Sequence, residues 1–248
     1  GLSHNQIKSI FRDRQGFLWI GTISGLNRYD GYSIKVFRSI PGDSTSLINS
    51  DVNKVFEGPG GKLWIHTWTG TNVFDPATGR FDRNANRLLK SFSIPEGQIN
   101  DIIRDSRGDH WFIHDTQGIY RYSESTGQTT PFVHVDGDTT GISTNDVAAL
   151  AEDASGNIWL LHSNGILEKI DSRSGKVVQR DFTLSTRFRG EIREYNMVSD
   201  RDGDLWCHVS NDNAGLFVFA SSAGTWRHLN VDSKPSLNAN IIRSVVQD

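Results

Sequence analysis

Five tryptophans set the frame for this chain. Trp19, Trp64, Trp111, Trp159 and Trp206 stand 45, 47, 48 and 47 residues apart. A glycine lies three residues before each one, at Gly16, Gly61, Gly108, Gly156 and Gly203. Glycine fills only 24 of 248 positions, so five matches in five mark a repeat and not a coincidence. Six residues before the tryptophan stands Asp13, Asp105, Asp153 or Asp200, with Gly58 in the second copy. Apolar side chains hold the position nine before (Ile10, Val55, Ile102, Leu150, Met197) and, in four copies, twelve before (Ile7, Val52, Ile99, Val147). The fifth copy has Glu194 and Arg189 where the outer aliphatics belong, so its entrance is irregular. After Trp206 the spacing restarts with Leu237, Ile242, Val245 and Asp248. It projects a sixth tryptophan at about position 254, so the pattern breaks off inside a repeat.

A fixed period in the forties decides the architecture before any single residue does. Each copy reads as four short strands. In the first copy, IKSIF (7–11) leads through an Asp-x-x-Gly turn into FLWIGT (17–22), a Gly-bearing loop and GLNRYD (25–30). A polar turn, Thr-Gly or Ser-Gly at 78–79, 126–127 and 174–175, then leads to the fourth strand in later copies. Such runs with Gly, Asp and Asn between them are hairpin signals. Four strands per long period is the pattern of β-propeller blades, whereas a β-sandwich has short strands without that period. The expectation is a single incomplete all-β propeller with blades near 1–40, 41–90, 91–136, 137–185 and 186–232, and the first strand of a sixth in 233–248. Each repeat tryptophan is then packing material, a ring that buries roughly 150–250 Å² between sheets.

Composition narrows the function. Hydrophobic residues are 36% and charged residues 22% of the chain, which fits a folded, turn-rich protein. The net charge of −3 provides no field to attract nucleic acid or an anionic membrane. No run of 18 apolar residues is present, so no membrane helix is expected within this stretch. The single cysteine, Cys207, excludes an internal disulfide. The start at Gly1-Leu2, without an initiator Met or signal peptide, reads as trimmed and leaves the compartment open.

The first copy carries LSHNQI (2–7) and WIGTISGLNRYD (19–30). These resemble the two-component regulator propeller repeats of bacterial hybrid two-component sensors, the kind common in gut Bacteroidetes. That family reads Leu-x-x-Asn-x-Val/Ile, then Asp-x-x-Gly-x-Leu-Trp-Ile-Gly-Thr, then Gly-Leu-x-x-Tyr-Asp. Later copies drift, to WIHT (64–67), WFIH (111–114), WLLH (159–162) and WCHV (206–209). The resemblance implies the N-terminal propeller, seven-bladed when whole, of a periplasmic sensor half that precedes a membrane helix and a histidine kinase. It also implies an oligosaccharide ligand and signalling through a homodimer, with membrane contact only through segments outside this chain. No cofactor and no nucleic-acid partner is implied, and this stretch is not itself expected to be an enzyme. The competing readings are a protein-interaction scaffold without a small ligand and, third, a propeller glycosidase or lyase.

Candidate binding residues are the ones that break the repeat. Just past the tryptophans stand His66, His114, His162 and His208, beside Trp68, Asp115, Asn164, Asn211 and Asp212. Trp68 occupies no repeat position. Its ring could stack on a sugar while neighbouring polar groups bond the hydroxyls. The histidines could alternatively bind a metal, or satisfy backbone groups between blades. They sit two or three residues past the tryptophan, offsets that point to opposite faces of a strand and oppose convergence of all four. Arg187, Arg189 and Arg193 cluster in RFRGEIR (187–193), either as a solvated loop or as a contact for an anionic ligand or partner. Asn5, Asn145 and Asn240 each precede a first strand by two residues, a position suited to a backbone-bonded turn. No nucleophile elbow, zinc-protease or phosphate-loop motif is present, so no catalytic or metal-binding residue is assigned.

One stretch imitates a metal site. DRDGDLW (200–206) alternates Asp200, Asp202 and Asp204 around Gly203, as a calcium loop does. Yet Asp200 and Gly203 fall on the repeat, and Leu205, Trp206 and Cys207 follow where further oxygen ligands would be needed. The stretch is therefore expected to be a hairpin turn. This stretch of chain, with sheet faces left uncovered, is also expected to self-associate or to form an open, distorted ring.

Overall fold

The computed structural model of the chain describes residues 1–245. They form five four-stranded antiparallel sheets, each strand paired with its sequence neighbour. The first sheet is β1 (Ile7–Arg12), β2 (Leu18–Thr22), β3 (Gly25–Tyr29) and β4 (Ile34–Phe37). The second is β5 (Val52–Glu57), β6 (Leu63–Thr67), β7 (Gly70–Asp75) and β8 (Arg80–Asp82). The third is β9 (Ile99–Arg104), β10 (His110–His114), β11 (Ile119–Ser123) and β12 (Gln128–Phe132). The fourth is β13 (Val147–Glu152), β14 (Ile158–His162), β15 (Leu167–Ile170) and β16 (Val177–Asp181). The fifth is β17 (Tyr195–Ser199), β18 (Leu205–Val209), β19 (Leu216–Ala220) and β20 (Thr225–Leu229).

The Asp-x-x-Gly turn explains why the first two strands of a copy meet where they do. In the fourth copy, Asp153 Oδ1 accepts from the amides of Ser155 (2.9 Å) and Asn157 (3.0 Å), while Oδ2 accepts from the Trp159 indole at 3.1 Å. Asp13, Asp105 and Asp200 make the same three bonds, to Gln15, Phe17 and Trp19, to Arg107, Asp109 and Trp111, and to Asp202, Asp204 and Trp206. One carboxylate thus shapes the turn and orients the core ring. The glycine closes the turn in the left-handed region, with φ of 91°, 67°, 92°, 78° and 83° at Gly16, Gly61, Gly108, Gly156 and Gly203, where a side chain is disfavoured. The second copy replaces the carboxylate by a 3-10 turn, Pro59–Gly61. There a Cβ on Gly58 would come within 2.6 Å of the Trp64 indole nitrogen, so the ring fills the space that Asp takes elsewhere.

The described chain divides into two compact units. The first comprises Gly1–Gln98, Ile102–Arg104 and Tyr122–Thr129; the second comprises Ile99–Asp101, Asp105–Arg121 and the chain from Thr130 onward. In the first unit Trp19 packs at 5.3 Å from Phe74 of β7, inside a core with Leu26, Leu47, Val55 and Leu63. In the second, Trp159 lies 5.2 Å from Phe219 of β19, in a core with Leu161, Leu205 and Cys207. In these two cases the ring of one copy packs on the third strand of the next. Trp19, Trp64, Trp111 and Trp159 are at most 1% exposed. At 150–250 Å² per ring, each burial contributes roughly 4–6 kcal/mol before entropy is charged. Trp206 departs from the expectation of full burial: it is only half-buried, because among the described residues of its unit no further sheet follows to cover it.

Three features depart from a plain run of four-stranded copies. Residues 233–245 carry no strand, and the expected first strand of a sixth blade, which the spacing starts at Ile242, runs on into residues 246–248, outside the described residues. A helix, α1 (Ala85–Ser91), follows β8, with Asn84 capping it by accepting from the Arg87 amide at 3.2 Å. A second short helix, α2 (Thr183–Arg187), ends where the 187–193 segment begins, with Leu184 buried in the core that holds Tyr195 and Phe217.

Candidate functional site

The four histidines past the tryptophans lie within the sheets. His66 on β6 is half-buried and meets Phe56 edge-on at 4.9 Å, and Phe56 is the register partner of Trp64. His162 on β14 is fully buried and bonds Glu168, the register partner of Leu160. The two offsets thus use opposite faces, as the strand period requires. His114 is 1% exposed, with Nδ1 2.8 Å from the carboxylate of exposed Asp115. His208 is 4% exposed, and burial pushes its imidazole below the ordinary value against a backbone contact from Arg243. His66 belongs to the first unit and the other three histidines to the second.

His162 belongs to a network that the sequence did not disclose. Glu168 on β15 is wholly buried, with Oε2 2.7 Å from His162 Nε2 and Oε1 accepting from Ser143 Oγ (2.5 Å) and Arg180 Nε (2.6 Å). Burial alone would raise the Glu168 carboxyl, but the bonds from His162 and Ser143 outweigh it and hold it at about 2. The Ser143 amide also donates to Glu168, at 3.1 Å. Asn27 on β3 and Asn72 on β7 do the same job in other copies, accepting from the amides of Ser3 (2.8 Å) and Ile48 (2.9 Å). A wholly buried polar side chain on the third strand is what these three share. Their role is to fasten the loop that enters each sheet. Asn145, in the Ser143 loop, and Asn240, after the fifth sheet, accept from the amides of His134 (2.7 Å) and Val231 (2.9 Å).

The remaining candidates separate into held and free groups. Trp68 is 75% exposed in the β6–β7 turn, where its amide donates to Asp51 O at 3.0 Å. The corresponding position, four past the repeat tryptophan, is Ile23, Asp115, Ser163 or Ser210 in other copies. Beside Asp51, Lys8 Nζ contacts both the Asp51 (2.6 Å) and Asn53 (2.8 Å) side chains. Arg193 is committed: it pairs with Asp212 and with Glu191 (2.7 Å) and lies 4.4 Å over the Phe188 ring. Arg187 lies 5.1 Å over Phe217, which also stacks on the His228 ring at 4.5 Å and meets Phe188 edge-on at 5.9 Å. Arg189 and Asn211 are exposed and hold positive φ, both 55°. Asn164 closes its turn by accepting from the Ile166 amide at 3.2 Å.

The calcium-like stretch has no free site at its head. Both oxygens of Asp200 are taken by the turn amides and the Trp206 indole. Burial pushes this carboxyl up, and those bonds more than reverse it, leaving it below the ordinary value. Among the described residues no group of three or more His, Cys, Asp and Glu side chains is placed to hold a metal ion.

Comparisons with known proteins agree with this architecture. Residues 1–24 match the family described as Two component regulator propeller. A 47-residue stretch, 19% of the chain, is 47% identical to "Histidine kinase P4" of Formosa agariphila, of which it covers 3%. All of this chain superposes on 38% of the extracellular domain of a protein described as a hybrid two component system from B. thetaiotaomicron, with a TM-score of 0.60 and 22% identity. A second extracellular domain from that organism, described as part of a one component system, gives a TM-score of 0.62 at 23% identity, over 92% of this chain and 31% of that one. The chain therefore spans well under half the length of these relatives. Residues 1–24 alone match that family; the four later copies keep the Gly-x-x-Trp frame, three of them with the Asp as well, and the chain has the fold of a β-propeller.

Proposed function

We propose that this chain is part of the extracytoplasmic, periplasmic sensor region of a hybrid two-component system, binding an oligosaccharide released from a glycan and relaying it to a downstream histidine kinase through dimer geometry. The chain itself is read as a binding module and the kinase activity as that of the longer protein. The likeness to extracellular domains of two-component systems and the local identity to a histidine kinase support the setting. One observation supports the ligand class: Trp68 leaves three-quarters of a large ring in solvent at a turn where other copies carry smaller side chains. An indole face open to solvent, on a residue whose amide is held by Asp51 O, suits a pyranose, whose apolar face stacks while its hydroxyls find donors and acceptors.

Calorimetric titration of the 248-residue protein against a panel of neutral oligosaccharides tests this reading. The expected outcome is saturable binding of at least one member, weakened at least tenfold by Trp68→Ala. Silence across the panel, or binding indifferent to Trp68→Ala, would contradict it.

A further inference from the structure

A cleft beside the last strand of the second sheet is unused by everything above. β8 is only three residues long, and α1 begins shortly after it. Together with Ser44 and Thr45 they wall a cavity of about 780 Å³, within the size range of small-molecule sites. Phe81 and Val73, both buried, and Leu88 give it an apolar floor. Its charged lining is Lys62, Arg80, Arg83 and Arg87 against Asp75 and Asp82.

The charges are unevenly matched. Lys62 pairs with Asp75 at 2.6 Å, and Arg87 pairs with Asp82. Arg83 donates to the backbone carbonyls of Asp43 (2.9 Å), Ser46 (3.1 Å) and Leu47 (2.9 Å), which position it without cancelling its charge. Arg80 is exposed, and its register partner Asp75 is already held by Lys62. Asp43, just outside the lining, lies within electrostatic range of Arg80 and Arg83. Four cations thus face two carboxylates, with a third nearby, and the cleft remains net positive.

A bare inorganic anion would meet repulsion from Asp75 and Asp82, and a neutral sugar would leave the excess cation unused. A polyhydroxylated ligand that also carries an oxyanion uses both. Guanidinium forks match carboxylate and sulfate oxygens, while carboxylates accept from hydroxyls. We propose that this cleft binds an acidic saccharide, a sugar bearing a carboxylate or a sulfate ester, with Arg80 and Arg87 on the oxyanion and Asp75 and Asp82 on ring hydroxyls. It deepens the sensor reading by adding a charged ligand class at a second place, and it rests on that reading for its biological sense.

Calorimetry of the 248-residue protein with digalacturonate, its uncharged methyl ester and galactose 6-sulfate tests the proposal. At least one acidic sugar should bind, at least tenfold more tightly than the ester, and the two acidic arms show which oxyanion is preferred. Arg80→Gln/Arg87→Gln should weaken that binding tenfold or more. Lys90→Gln, which removes the same charge from the same helix outside the lining, should leave it within twofold. Both substituted arginines are exposed, and thermal unfolding of the double variant verifies that it is folded. Failure of both acidic sugars to bind, equal binding of the ester, or indifference to the double substitution would overturn the proposal. Binding of a neutral oligosaccharide lost in Trp68→Ala, with both acidic sugars silent, would remove this cleft and leave the sensor reading standing.

Discussion

At the scale of residues, one aspartate does three jobs in each regular copy, and its removal shows what the repeat depends on. Asp105 accepts from two turn amides and from the Trp111 indole, which is buried. Asp105→Ala leaves a buried indole N–H without its acceptor and a turn without its brace, so the expected cost is about 2–3 kcal/mol in urea unfolding. Asp202→Ala, at an exposed position of DRDGDLW that follows no repeat, should stay within about 0.5 kcal/mol. That contrast separates the frame from its imitation of a metal loop. The frame residues were legible because they recur. Glu168 was not, since its partners Ser143, His162 and Arg180 lie up to 25 positions away in sequence. Its carboxyl is held at about 2 against an ordinary value of 4.5. A depressed acid stabilises the fold above its unfolded value, and that contribution is lost as pH falls from 4.5 toward 2. Acid titration of unfolding should therefore show a loss of stability in that window, reduced in Glu168→Gln. Identical acid profiles for the two proteins would contradict the network.

At the scale of elements, the strands were readable because each binds its neighbour in the sheet and the spacing is local. β1, β2 and β3 fall within a residue or two of the runs read from IKSIF, FLWIGT and GLNRYD. The two helices escaped because neither belongs to the repeat. α1 fills the space beside a fourth strand cut to three residues, and α2 replaces the aliphatic entrance that Glu194 and Arg189 break. His66 and His162 use opposite strand faces, as their offsets require, but the burial of the histidines was not visible, since what covers them comes from other elements. In the cluster at 187–193, Phe188 gathers two of the three arginines: Arg193 stacks on it, and Arg187 reaches over it at 6.0 Å. Sequence shows the charges and hides the ring that orders them. The cleft between β8 and α1 was illegible for the same reason, because its cations are spread from Lys62 to Arg87 without a motif.

At the scale of the molecule, the copies are alike in fold and unequal in environment. Val52, Val55, Val147 and Leu150 are buried, whereas their counterparts Ile7 and Ile10 on β1 are 44% and 64% exposed. Apolar strand faces of this kind associate in water. Sedimentation velocity is expected to show concentration-dependent self-association, reduced by Ile7→Asp/Ile10→Asp; a monomer at every concentration would refute it. The central claim is a division of labour, in which the repeat tryptophans hold sheets together and Trp68 meets the ligand. NMR of the indole N–H groups during titration with a binding oligosaccharide tests it directly. Trp19, Trp111, Trp159 and Trp206, each bonded to its aspartate, should exchange slowly with solvent and keep their positions, while the exposed Trp68 signal exchanges fast and shifts with ligand. A fixed Trp68 signal with shifts at the aspartate-bonded indoles would contradict the account.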